Sequence, residues 1–151
     1  MLETKNRSLF KGITWRIIGT ADTIMLAYLI TGDVSNALNI GGLELFTKTI
    51  LFFIHERIWL SFTKKHNHSS KTRSIKKAIS WRLTGTIDTI ILSFLVLTFS
   101  GDGEIKIPPI YIASAIGLSE LFTKMILYYF HERVWLKVKW GLKEDMEYGI
   151  Q

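Results

Sequence analysis

The chain is 151 residues long, 48% hydrophobic and 13% aromatic, with a mean hydropathy of +0.22. That length suits one soluble domain, but the apolar content points to a lipid-facing protein. The net charge of +6 comes without cysteine, which excludes disulfides and thiolate chemistry, and without a stacking platform or recognition-helix pattern, so no nucleic-acid partner is expected.

Four stretches approach or exceed the roughly 20 apolar residues that cross a hydrocarbon core. They are Ile13–Ile30, Ile40–Trp59, Ile79–Phe99 and Ile107–Phe130. The first helix is expected to begin near Ser8–Gly12 and to end around Thr31-Gly32-Asp33, where turn residues cluster. Residues 1–30 have the basic-then-apolar outline of a signal peptide. Asp22 within the run, and an internal copy of it further on, argue for a retained helix. A short loop through Ser35-Asn36 leads into the second helix, which ends on His55-Glu56-Arg57-Ile58-Trp59. Residues 61–72, polar and basic, read as a linker. After the third helix comes the loop Ser100–Lys106, and Pro108-Pro109 suits the first turn of the fourth helix, where a missing N–H costs little. The tail, residues 137–151, mixes charge with Trp140 and is expected at the membrane surface.

The second half of the chain repeats the first. Residues 7–24 return as 73–90 with 11 of 18 positions identical, and residues 40–60 return as 116–136 with 14 of 21 identical. One structural unit has been duplicated. The expected fold is an all-α integral membrane protein with four transmembrane helices, arranged as two parallel helical-hairpin repeats over 7–60 and 73–136. Each repeat crosses an even number of times, so a pseudo-two-fold axis along the membrane normal should relate them. Of the 19 Lys and Arg residues, 14 lie in the N-terminal tail, in 57–77 and from Arg133 onward. The positive-inside rule therefore places both termini and the linker in the cytoplasm.

Charges inside the apolar stretches balance: Arg16, Lys48, Arg82 and Lys124 against Asp22, Glu44, Asp88 and Glu120. A charge at the bilayer centre costs about 2.5–3.5 kcal/mol on insertion scales, so such residues face the bundle interior and pair. Glu44 and Lys48 stand one turn apart on one helix face, with His55 further along the same stripe; Glu120, Lys124 and His131 repeat the spacing. Small residues flank the arginines in two stripes, Gly12, Gly19, Thr20, Thr23 and Ala27, and Ala78, Gly85, Thr86, Thr89 and Ser93, which suits close packing within each hairpin. Asp22 lies off this stripe and about 10 Å deep, within reach of His55 or Lys48 on a neighbouring helix. The functional reading is a polar path of carboxylate, ammonium and imidazole; the structural one is a set of bundle-specifying ion pairs.

The His-Glu-Arg-x-Trp pentad closes the second and fourth helices. Trp59 and Trp135 fit an interfacial aromatic belt, and Arg57 and Arg133 can snorkel to lipid phosphates. A zinc-protease helix needs histidine where Trp59 and Trp135 stand, so that motif is absent. His55 and His131 could meet across the pseudo-two-fold as a metal pair, and His66 and His68 read as solvated linker residues. No phosphate-binding loop, nucleophile elbow or dinucleotide fingerprint is present, so neither enzymatic activity nor a cofactor is expected.

The doubled WR-x-x-GT-x-DT core, followed by ELFTK and HER-x-W, resembles a family of small bacterial inner-membrane proteins catalogued as domain of unknown function 2061. The resemblance covers both repeats. It implies that one hairpin is the family's unit and that this chain is a fused tandem of it; it implies no activity, substrate or catalytic residue.

Two functions follow as expectations. One is an ion or small-solute transporter or channel subunit using the buried charges, which calls for an aqueous cavity lined by them. The other is a non-transporting scaffold or accessory subunit, held together by structural ion pairs and bound to an unidentified partner. Two repeats alone bury little surface, which leaves room for a homo-oligomer. The bilayer itself, with anionic headgroups at the basic cytoplasmic face, is the expected environment.

Overall fold

The computed structural model describes residues 2–63, 71–100 and 107–143. The expected linker from residue 64 with His66 and His68, the outer loop at 101–106 and the tail from residue 144 lie outside the described residues. Four long helices make the fold: α1 (Lys5–Thr31), α2 (Val34–Thr63), α3 (Lys71–Phe99) and α4 (Pro109–Lys137). Each contains a run long and apolar enough to cross a membrane.

Local chemistry sets the helix ends. Thr4 accepts a hydrogen bond from the Arg7 amide as the N-cap of α1, which starts the helix earlier than its apolar pattern indicates. Gly32, at φ 73°, takes the left-handed conformation that ends α1, and its N–H donates to the Tyr28 carbonyl at 2.7 Å. The Asp33 carboxylate then accepts from the Asn36 amide, so α2 begins at once and Ser35-Asn36, expected as loop, is already helical. Pro109 opens α4, as its missing N–H allows.

The helices pack in a ring, α1 against α2, α2 against α3, α3 against α4 and α4 against α1. The interior is more polar than the exterior. Buried side chains include Asp22, Thr23, Glu44, Thr89, Ser93 and Glu120, whereas the apolar core is small: Ala27, Ala37, Ile40, Leu97, Ala113 and Ile116. Outward-facing residues such as Phe46, Leu29 and Phe99 are 68%, 68% and 82% exposed. This inside-out distribution suits a bundle whose outer surface meets lipid tails. Ala27, Ala37, Ile40 and Ile116 form the core cluster, toward the end of the bundle that carries the short α1–α2 turn.

Within each repeat the helices touch through glycine. A Cβ on Gly41 would collide with Ile24 Cγ1, and one on Gly117 with Ile90 Cγ1, so both glycines permit a close approach that no side chain could share. Of the expected small-residue stripe on α1, Ala27 packs within the hairpin against Ala37 and Ile40, and the glycines nearer the termini sit elsewhere. Gly19 faces the aliphatic chain of Lys124 and Gly85 that of Lys48, so these two positions turn to the bundle axis and make room for lysine.

At the other end the termini are clasped. Leu2–Glu3 (β1) pairs antiparallel with Leu142–Lys143 (β2), the one departure from an all-α chain among the described residues. Arg7, 2% exposed, donates to the carbonyls of Trp135, Val138 and Trp140 at 2.6–2.7 Å, capping the end of α4. Trp140 packs edge-on against Phe10, so the start of the tail folds back on α1.

Candidate functional site

The polar side chains gather at the two seams between repeats, α1–α4 and α2–α3, and four kinds of contact in one seam have their counterparts in the other. Thr123 donates to Asp22 Oδ2 at 2.8 Å, and Thr47 to Asp88 Oδ2 at 2.9 Å. His131 Nε2 stands 2.9 Å from Thr14 Oγ1, and His55 Nε2 2.9 Å from Ser80 Oγ. The indoles of Trp135 and Trp59 donate to the same two hydroxyls at 3.2 and 3.1 Å. Nearer the helix ends, Lys11 pairs with Glu132 and Lys77 with Glu56. Such duplication is what a two-fold axis between the repeats requires.

On that axis stands a ring of four charges. Lys48 pairs with Glu44 one turn away and with Glu120 Oε1 across the bundle at 2.8 Å. Lys124 pairs with Glu120 and with Glu44 Oε1 at 2.9 Å. Each ammonium also donates to a threonine hydroxyl, Lys48 to Thr89 at 3.0 Å and Lys124 to Thr23 at 3.1 Å. Thr89 in turn donates to Glu120 Oε2 at 2.6 Å. An ammonium has three N–H donors, and in both lysines all three are used. The ring is neutral and its carboxylates are buried, the condition under which opposite charges tolerate a low-dielectric site.

The ring forms the floor of a cavity of about 440 Å³ that runs along the axis toward the end holding both termini. Its walls are Gly12, Trp15, Arg16, Gly19 and Thr20 of α1 with their equivalents on α3, Trp81, Arg82, Gly85 and Thr86. Phe52 and Tyr128 stack edge-on against Trp81 and Trp15 at 5.3 and 5.1 Å and complete the walls. From Gly12 to Thr20 the cavity spans about 12 Å of helix. Beyond the floor, toward the α1–α2 turn, the fully buried Ser93, Ala27, Ile40 and Ile116 fill the axis.

Of the residues singled out from the sequence, Arg16, Arg82, Glu44, Glu120, Lys48 and Lys124 come together around the cavity. Asp22, Asp88, His55 and His131 do not line it. Asp22 bonds Thr123 rather than His55 or Lys48, because His55 lies on the opposite seam and Lys48 is fully engaged in the ring. His55 and His131 occupy opposite seams, each with its own hydroxyl and tryptophan, so the metal pair considered from the sequence is not formed. Trp59 and Trp135 are half-buried with their N–H groups bonded inward, a tighter role than a belt. Arg57 and Arg133 are exposed and lie over the rings of Phe53 and Tyr129.

The hydroxyl partners Thr14, Ser80, Thr47 and Thr123 escape a reading focused on charge. Their signal was present: at each pair the two repeats keep a hydroxyl, Thr or Ser, at the same register.

A family model described as "Predicted membrane protein (DUF2061)" matches residues 9–60 and again residues 75–136. No curated protein and no solved structure matches the chain. The two matches coincide with the two hairpins that build the seams and the ring, and the chain therefore belongs to this membrane protein family, with its unit present twice.

Proposed function

We propose that the protein is a small membrane carrier or channel for charged solutes, in which the axial cavity receives the solute and the Glu44–Lys48–Glu120–Lys124 ring gates its passage. The observation that carries this reading is the cavity floor. The cavity leads to a neutral ring of ion pairs, and among the described residues the fully buried Ser93, Ala27, Ile40 and Ile116 lie beyond it. Each lysine has two carboxylate partners, one on its own helix and one across the axis, so the ring can loosen its cross-repeat pairs while the pairs along each helix remain. The concentration of Lys and Arg near both termini supports placing the cavity mouth in the bacterial cytoplasm and the protein in the inner membrane. That basic face would draw anionic lipid at about 1 kcal/mol per well-placed side chain. The reading assigns the protein no catalysis.

A second reading, a scaffold or accessory subunit, is favoured by a separate observation: Asp22, Asp88, His55 and His131 are all engaged in the seams, outside the cavity. Flux separates the two. Proteoliposomes holding only this protein are mixed with hyperosmotic potassium chloride, potassium phosphate or glycerol, with and without valinomycin so that potassium can accompany a transported anion, and their volume recovery is followed by light scattering. A carrier gives protein-dependent recovery with at least one salt, altered in Lys48→Met. Recovery identical to empty liposomes in every solute would leave the scaffold.

A further inference from the structure

The cavity has an imbalance of charge that the ring does not remove. Its lining holds four cations, Arg16, Arg82, Lys48 and Lys124, and two anions, Glu44 and Glu120. The two lysines and two glutamates balance one another in charge, and Glu44 Oε2 alone of their carboxylate oxygens keeps no hydrogen-bond partner among the described residues. Arg16 and Arg82 are left over. Neither makes a hydrogen bond or ion pair with another described residue. The nearby carboxylates Asp22 and Asp88 are turned into the seams, where threonine hydroxyls hold them. Arginine keeps its charge at any accessible pH, so two positive charges face the same cavity from opposite sides of the pseudo-two-fold axis.

We infer that this cavity is an anion site, in which Arg16 and Arg82 together hold a phosphate-class oxyanion, either free in solution or carried by a lipid headgroup. A guanidinium presents a planar fork of donors that fits two oxygens of such a group, and a fork from each of two repeats suits a tetrahedral anion with oxygens on all sides. Both arginines lie about 10 Å from the level of Thr23 and Thr89, at the mouth side of the floor, with Arg16 exposed and Arg82 half-buried, so that a solute entering the cavity can reach them. The volume falls within the range of about 300–1,000 Å³ typical of small-molecule sites, well above what a bare monatomic ion needs. Trp15 and Trp81 on the walls supply apolar sides and an optical reporter. The saturated ammonium groups at the floor leave the arginines as the free donors. This inference rests on the cavity being open to solute, as the carrier reading holds, but binding can be measured without transport.

The test uses the full chain in nanodiscs of phosphatidylcholine alone, with inorganic phosphate titrated by calorimetry and by tryptophan fluorescence, and potassium chloride as the reference salt. In a second arm phosphatidylglycerol is added to the disc and lipid retention is read by native mass spectrometry. Saturable phosphate binding in the first arm identifies a free anion; a retained phosphatidylglycerol in the second identifies a headgroup. In either case Arg16→Gln or Arg82→Gln should weaken binding about tenfold or more, as expected for loss of charge-assisted hydrogen bonds, and the double variant should abolish it. Arg16→Lys should recover part of the loss. Thermal unfolding without phosphate checks that the variants fold. No binding in either arm, or binding indifferent to both arginines, overturns the inference. Binding without flux would overturn the carrier reading alone.

Discussion

Within each repeat the two helices meet chiefly through Gly41 against Ile24 and Gly117 against Ile90, with one polar bond from Thr89 to Glu120 in the second, whereas between repeats they meet through hydroxyls, carboxylates, imidazoles and ammonium groups. The difference follows from connectivity and solvent. A short turn at Gly32-Asp33 already dictates that α1 lies beside α2, so van der Waals contact is enough to seat them. The repeats, joined only through the chain between α2 and α3, need contacts that specify which faces meet. Lipid supplies no hydrophobic drive for that choice, so directional bonds take it over.

The largest effect should come from breaking the between-repeat ring. Lys48→Met leaves Glu44 and Glu120 buried beside each other with one cation, and loss of one partner from a buried ion pair typically costs about 3–5 kcal/mol. Thermal unfolding in detergent should show a large drop. Lys48→Met combined with Glu120→Met should recover most of it, because the ring is then again balanced.

A smaller effect is expected within the repeats. Gly41→Ala and Gly117→Ala each push a methyl group into an isoleucine, and overpacking of this kind costs about 1–3 kcal/mol. The two losses should add when combined, since each glycine sits in a different hairpin. Strong non-additivity would mean that the hairpins do not pack independently.

The smallest effect should be that of Asp22→Asn. In Asp22→Asn the side-chain carbonyl can still accept from Thr123, so unfolding should shift by less than about 1 kcal/mol. Asp22→Leu removes the acceptor, leaves the Thr123 hydroxyl only the Glu120 carbonyl at 3.3 Å, and should cost about 1–3 kcal/mol for the lost bond to a charged group. Equal losses in both variants would show that Asp22 is held by charge instead of by the hydrogen bond.

Much of this was legible in the residues. The duplication exposed four helices, and the i,i+4 spacing of Glu44 with Lys48 and of Glu120 with Lys124 announced both ion pairs. Which helices would be neighbours across the repeats was not readable, because periodicity fixes a face and never its partner. Gly19 and Gly85 face lysines of the other repeat instead of their hairpin partner for a related reason: a small residue makes room equally for a backbone or for a lysine chain. Arg7 looked like one more cytoplasmic charge, and only folding brings it to the α4 carbonyls.

The account turns on a cavity open at one end and closed by the ring. The chain contains no cysteine, so single cysteines can report on it without background. Thr86→Cys lies on the cavity wall, and Ser93→Cys lies beyond the floor at a fully buried position. In sealed vesicles treated with a membrane-impermeant thiol reagent, Thr86→Cys should be labelled only from the side that holds the termini, and Ser93→Cys from neither side. Protection of Thr86→Cys from both sides, or labelling of Ser93→Cys from either, would contradict it.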